Sequence, residues 1–248
     1  MDTSTYAVEA AVEASHWWFV ARRKLFADLI ARQHLSIDAR VLDIGTSTGT
    51  NLRLLKDLGF TNRQGLDLSD DAIRWCAEKG LGKVEKGDIC SLPFADGEFQ
   101  LVMATDIIEH VDDDLRAVTE IYRVLAPGGT AIISVPAFQS LWGLQDDVAH
   151  HKKRYLKREL LDLIGRSGLA CRESFYINYL LFIPIWAARQ VVRMFNINLD
   201  SENQVNTPML NRILTWIFTL DVATAKLIHP PFGVSIVAVT TRATGPSQ

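Results

Sequence analysis

Arg40-Val-Leu-Asp-Ile-Gly-Thr-Ser-Thr-Gly-Thr-Asn-Leu-Arg-Leu-Leu55 decides the fold. Residues 40–44 read as a buried strand with Asp43 at its end. Small residues from Gly45 to Thr50 make a tight loop, and Asn51 to Leu58 reads as a helix stopped by Gly59. A strand, a tight loop and a helix N-terminus form a nucleotide-binding corner in an open α/β sheet.

The pattern repeats outward from that corner. Strands are predicted at 63–68, with Asp67 near the end, at 83–86 before Gly87-Asp88, at 99–105 before Asp106, and at 130–135 after a Pro127-Gly128-Gly129 turn. Helices are predicted at 70–79, with Ser69 as N-cap, and at 112–125. This alternation argues for a mostly parallel sheet with right-handed crossovers. Beyond Pro136, the segment 141–155 reads as a polar loop and 157–167 as an amphipathic helix. A strand at 169–175, apolar helices at about 177–195 and 208–228, a polar linker at 200–207, a last strand at 234–241 and a frayed tail at 243–248 follow. The expectation is a Rossmann-like α/β domain with a seven-stranded sheet over 38–248, carrying a helical insertion at about 177–228, and an N-terminal helical lid over 1–37. Residues 6–35 read as helical throughout. Trp17, Trp18 and Phe19 cannot all face one core from one helix, so some meet a ligand or another element.

Composition narrows the class. A chain of 248 residues, 48% hydrophobic, suits one α/β domain. A net charge of -3 supplies no basic field for nucleic acid, and Lys152-Lys153-Arg154 is too short to change that. The three cysteines, Cys76, Cys90 and Cys171, are scattered without metal spacing, and the N-terminus lacks an apolar signal core; a reducing cytoplasm is expected. The uncharged stretch Ser174 to Ala188 is shorter than the roughly 20 residues of a membrane span. It is expected to be buried or to dock on a surface.

The acids at the strand ends choose the ligand. Asp43, Asp67, Asp88 and Asp106 fall at successive predicted strand ends. A dinucleotide fingerprint is broken by Ser47 and Thr50, and no lysine completes a P-loop. Carboxylates in such number repel phosphates and suit a cation rich in hydrogen-bond donors. S-adenosylmethionine, with its sulfonium, ammonium, ribose diol and adenine amine, fits.

Val41-Leu-Asp-Ile-Gly-Thr-Ser-Thr-Gly49 resembles the first motif of class I S-adenosylmethionine-dependent methyltransferases. Gly65-Leu-Asp-Leu-Ser69, Gly87-Asp-Ile89 and Ala126-Pro-Gly-Gly-Thr130 resemble the later motifs in order, and the resemblance covers about residues 38–136. The flanks, Glu13-x-x-His16-Trp17-Trp18-Phe19 and Asp147-x-x-His150-His151-x-x-Arg154-Tyr155, resemble a bacterial, methyltransferase type 11-like subgroup met among genes for surface polysaccharide, lipid or secondary-metabolite assembly. The resemblance implies that Asp43 orients the loop and the methionine ammonium. It implies that Gly45, Thr46 and Ser47 admit the methionine backbone and that Gly49 opens the helix. Asp67 then takes the ribose hydroxyls, Leu68 packs on adenine, Asp88 and Ile89 read its edge, and Thr105-Asp106 lie near the sulfonium.

Methyl transfer to a hydroxyl or amine needs alignment and a nearby base. His110, His151 and His16 are the candidate bases, and Trp18, Arg22, His150 and Tyr155 the candidates to meet the acceptor. Asp146, Asp147, His150 and His151 invite a metal reading. A polar loop whose charges meet Lys152, Lys153 and Arg154 is preferred, so no metal is expected. A small-molecule or glycan/lipid-linked acceptor leads, ahead of RNA, for which no basic face exists, and of a non-catalytic S-adenosylmethionine-binding scaffold. The apolar insertion is expected to wall the acceptor site, to make a peripheral membrane contact or to form a homodimer contact.

Overall fold

The structure, a computed structural model, describes residues 3–194 and 207–244. The linker before Thr207 and the tail from 245 lie outside the described residues. Strands β1 (Val41–Ile44), β2 (Arg63–Asp67), β3 (Lys83–Lys86), β4 (Phe99–Thr105), β5 (Leu125–Pro136), β6 (Ala170–Ile177) and β7 (Ser235–Thr241) form one sheet in the order β3-β2-β1-β4-β5-β7-β6. The pairs from β3 to β5 are parallel, and β7 runs antiparallel to both β5 and β6. The expected seven-stranded, mostly parallel α/β fold is therefore observed. Strand order reverses between β1 and β4, which opens a crevice at their carboxyl ends.

Alternation along the strands builds two cores. Leu42, Val102 and Ile133 face α5 (Asp114–Val124) and α7 (Lys157–Arg166). Val41, Leu101 and Ile132 face α2 (Trp17–Ala31), α3 (Thr50–Asp57) and α9 (Pro208–Ile228). Both faces are covered, so the central strands read as continuous apolar runs rather than alternating ones. The remaining helices are α1 (Thr3–Val12), α4 (Asp70–Glu78), α6 (Leu144–Val148) and α8 (Phe182–Met194).

Several boundaries differ from expectation for local reasons. The predicted helix 6–35 is broken between α1 and α2, because His16 leaves helical geometry and its Nδ1 accepts from the Trp18 N–H at 3.4 Å. Ser69 occupies the N-cap position of α4 but makes no side-chain capping bond. Strand β5 starts at Leu125, before the predicted turn, with a register shift against β4 between Phe99 and Leu101. The loop 141–155 contains the short helix α6.

The apolar stretch after Ser174 first completes β6, turns at Asn178 (φ 58°), and only then enters α8. Asp221 of α9 fixes that turn: its carboxylate oxygens accept from the Asn178 N–H at 2.7 Å and the Leu180 N–H at 2.9 Å. Burial pushes its carboxyl up to about 6, against the lowering effect of those bonds. Asp221→Ala leaves the buried Asn178 N–H and the part-buried Leu180 N–H unpaired and is expected to cost about 1–3 kcal/mol, read as a lower urea midpoint, with Asp221→Asn losing less. Among the described residues, no helix is long and apolar enough to cross a membrane.

Candidate active site

The loop after β1 is held in shape by its own backbone and by acids from outside it. Gly45 has φ 73°, and a Cβ there would stand 2.8 Å from the Ile107 side chain. Gly49 has φ 91°, and a Cβ there would stand 2.3 Å from Leu81. Ser47 takes a left-handed φ of 46°, a conformation that favours glycine. Two contacts compensate for that strain. Its N–H donates to Asp67 at 3.0 Å, and its hydroxyl donates to Glu9 of α1 at 2.9 Å. Glu13, in the turn just after α1, meets the Thr48 hydroxyl and the Lys79 ammonium, the latter at 2.7 Å. The N-terminal helix is thus tied directly to the loop. Burial pushes the Glu9 carboxyl up.

At the strand ends the acids differ in what they have free. Asp43 is fully buried; one oxygen accepts from Asn51 at 2.9 Å, and the other has no hydrogen-bond partner. Burial raises its pKa to about 7, with the neighbouring Asp67 adding to the rise. The Asn51 amide also donates to the Thr105 hydroxyl at 2.9 Å, joining the ends of β1 and β4. Asp67 uses one oxygen on Ser47 and the other on the Ser69 N–H at 2.9 Å, leaving a lone pair on each. Leu68 beside it is 61% exposed, an apolar platform at the strand end. Asp88 is exposed and accepts from the Cys90 N–H at 2.8 Å, with Ile89 buried next to it. Asp106, at φ 53°, forms an ion pair with Arg22 of α2, and both reach the Ser134 hydroxyl, at 3.3 and 3.2 Å.

A cavity of about 470 Å³ opens between this loop and the helices. Gly45, Thr46, Ser47, Thr105 and Asp106 line one side. His16, Trp18, Phe19, Arg22, Ile185 of α8 and Leu214 of α9 line others. Trp17 and Trp18 meet the buried Phe218 of α9, Trp18 stacking on it at 5.3 Å, which accounts for the adjacent aromatics. Asn211 of α9 accepts from the Trp17 N–H and donates to the Ser15 carbonyl, both at 2.8 Å. His16 borders the cavity while serving as the cap of α2, and burial lowers its pKa.

His110 and His151 both line the cavity, their rings edge to face at 4.8 Å. His151 Nδ1 lies 2.8 Å from the buried Asp146, which also accepts from Arg154 Nε at 2.8 Å. Burial opposes ionisation of Asp146, but the hydrogen bond with His151 and the Arg154 charge outweigh it and hold the carboxyl at about 2. Burial brings His110 down to about 4.

Two residues expected at the acceptor site sit elsewhere. His150 is exposed at φ 58° and does not line the cavity. Tyr155 is buried behind the wall, its hydroxyl donating to Asp114 at 3.0 Å. The left-handed step at His150 sends neighbouring side chains to different sides. The loop acids also part company: Asp146 is buried with His151 and Arg154, whereas Asp147 accepts from Trp142 Nε1 at 2.9 Å. Lys152 pairs instead with Asp112, ahead of α5, and Lys153 with Asp114 at its first position. Sequence reasoning missed Glu9 and Asn51, whose partners are reached only through the fold, and did not single out Glu109, whose carboxylate is fully buried with neither oxygen hydrogen-bonded.

The residues fit S-adenosylmethionine. An orphaned carboxylate oxygen, a glycine cradle and an exposed apolar platform are complementary in kind to an ammonium, a methionine chain and an adenine. Residues 42–133 match the family model of a methyltransferase domain. Norajmaline N-methyltransferase of Rauvolfia serpentina is 32% identical over 153 residues, 58% of this chain and 51% of that protein. Malonyl-acyl-carrier-protein O-methyltransferase of Enterobacter lignolyticus is 33% identical over 141 residues, 54% of this chain and 55% of that protein. The chain spans about half the length of these curated relatives. A chain of a Haloferax volcanii complex between a methyltransferase and its Trm112 activator aligns with a TM-score of 0.66 at 20% identity, covering 99% of this chain and 97% of that one, a likeness of fold. Matched motifs, strand order and strand-end acids agree on residues 42–133, which form a methyltransferase domain of the class I, S-adenosylmethionine-dependent kind.

Proposed function

We propose that the protein transfers a methyl group from S-adenosylmethionine to an oxygen or nitrogen of a small apolar or lipid-linked acceptor, with α1 and α2 as the lid. The observation that carries this reading is one cavity bounded by the glycine loop on one side and by aromatic and aliphatic side chains on others. S-adenosylmethionine supplies an electrophilic methyl on its sulfonium. The chain's own part is alignment and exclusion of water, which suit an in-line displacement between bound reactants. The Arg22–Asp106 pair joins the lid to the end of β4. Making a hydroxyl or ammonium acceptor nucleophilic falls to Glu109, His110 and His151 on the cavity wall. Asp146, through its bond to His151, is a positioning residue.

The lipid part of the reading comes from the outer faces of the insertion. Ile183, Trp186 and Met194 of α8 and Met209, Ile213 and Trp216 of α9 are all exposed. The same two helices send Ile185 and Leu214 into the cavity. An apolar outer face continuous with an apolar wall suits an acceptor drawn from a lipid surface.

Calorimetry is expected to give binding of S-adenosylmethionine, and flotation is expected to carry the protein with anionic lipid vesicles. Ile213→Glu combined with Trp216→Glu is expected to abolish flotation and leave the calorimetric Kd unchanged. No heat of binding at high micromolar ligand overturns the methyltransferase reading. Wild-type protein that stays out of the vesicle fraction overturns only its lipid part.

A further inference from the structure

We propose that Glu109, His110 and His151 form a site for one divalent transition-metal cation on the cavity wall. Each offers one ligand atom, and these atoms lie within 4.8 Å of one another. Metal–ligand bonds of about 2.0–2.2 Å place neighbouring ligand atoms roughly 3–4 Å apart, so small side-chain rotations close the set.

Three observations point to a cation rather than to a chance cluster. The first is Glu109, 0% exposed, with neither carboxylate oxygen hydrogen-bonded. A buried carboxylate without a hydrogen bond is costly, and structures retain one chiefly where something else binds it. The second is the anchoring of the imidazoles. His151 has its Nδ1 fixed on Asp146 at 2.8 Å, so its Nε2, 3.9 Å from Glu109, carries the available lone pair. His110 has a ring hydrogen bond to the Ala149 backbone, which leaves its other nitrogen for a ligand bond. Metal-binding histidines commonly donate their second nitrogen to a carboxylate or a backbone carbonyl, which fixes tautomer and ring orientation. The third is the rigidity of the support. Asp146 is itself held by Arg154 and by the Gly143 N–H, both at 2.8 Å.

Two imidazoles and one carboxylate favour zinc, iron or a similar cation over magnesium or calcium, which prefer all-oxygen sets. Three protein ligands leave coordination positions open toward the cavity. On the proposed methyltransferase reading, an acceptor hydroxyl bound there loses its proton more readily, as metal-bound water does. The site uses His151 but neither Asp147 nor His150, so it differs from the acidic loop cluster suggested by the sequence. Its members, at 109–110 and 151, meet only through the fold.

The test uses full-length, tag-free protein stripped with a chelator and titrated with Co²⁺, followed by visible absorption and by melting. One Co²⁺ per chain is expected, with a new d–d band and a raised Tm. Glu109→Gln and His110→Ala are each expected to weaken Co²⁺ binding at least about tenfold. Asp146→Asn is expected to weaken it about 10–100-fold through orientation alone. His34→Ala, in the turn after α2, should leave it unchanged. Absence of a band in the wild type, or a band that survives unchanged in both Glu109→Gln and His110→Ala, overturns the site. Calorimetry of the stripped protein with S-adenosylmethionine keeps the readings apart. Donor binding without Co²⁺ binding removes the metal alone, and loss of donor binding removes the methyltransferase reading.

Discussion

Replacing Asp67 by alanine is expected to weaken S-adenosylmethionine binding at least about a hundredfold and to leave the fold intact. Each carboxylate oxygen already accepts one backbone N–H, from Ser47 and from Ser69, and keeps a lone pair for a ribose hydroxyl. Charge-assisted hydrogen bonds contribute about 1.5–3 kcal/mol each, so two of them account for roughly two to four orders of magnitude in Kd. The substitution also frees the Ser47 N–H, which steadies a left-handed residue in the loop. The loss therefore has a ligand part and a loop part. Asp67→Asn separates them: one amide oxygen still accepts, but the NH₂ group cannot, so an intermediate loss is expected. Calorimetry at fixed pH reads the affinities, and near-UV circular dichroism checks the fold. An unchanged Kd in Asp67→Ala would place the ribose elsewhere.

The corner was legible because its signals are local. Val41 to Ile44 is a short apolar run bounded by small residues, and parallel strands covered on both faces must look like that. Asp67 and Asp106 announce strand ends for the same reason: each follows buried strand residues where the chain returns to the surface, whereas Asp88 follows the half-exposed edge strand β3. The N-terminal helices were only partly legible. Their composition predicted helix, but the break at His16 depends on one imidazole accepting from the Trp18 N–H. The attachment of Glu9 to Ser47 spans 38 positions and leaves no periodic trace. The wall around Glu109 was the least legible. In sequence, His150 and His151 are equivalent neighbours, and Glu109-His110 resembles a capping pair. Only the backbone step at His150, the burial of Asp146 and the loop's return to the end of β4 decide which imidazole enters the cavity. The backbone bond from Lys152 N–H to the Glu109 carbonyl, at 2.7 Å, is what seats that return.

Binding of S-adenosylmethionine is expected to release a proton below about pH 7 and to tighten as pH rises from 5 to 7. The group responsible is Asp43, whose carboxyl is raised to about 7 by burial and by Asp67. In the free protein at pH 6 most of it is therefore protonated. A cationic ligand at the corner favours the carboxylate and draws its pKa down, which couples binding to proton loss. Each pH unit below 7 then weakens binding by up to about tenfold, or 1.4 kcal/mol. Stability of the free protein moves the other way. A carboxyl whose folded pKa is raised stabilises the fold most below its unfolded pKa, and this contribution fades as pH climbs through about 7. The ligand-induced rise in Tm should therefore be small at pH 5 and grow toward pH 7. Calorimetry in buffers of different ionisation enthalpy counts the protons directly. Asp43→Asn, which keeps the size of the side chain and cannot ionise, is expected to abolish the release and flatten the pH dependence, with weaker binding at pH 7. Proton release that persists in Asp43→Asn would assign it to another group, and a flat profile in the wild type would mean that Asp43 stays neutral when the donor binds.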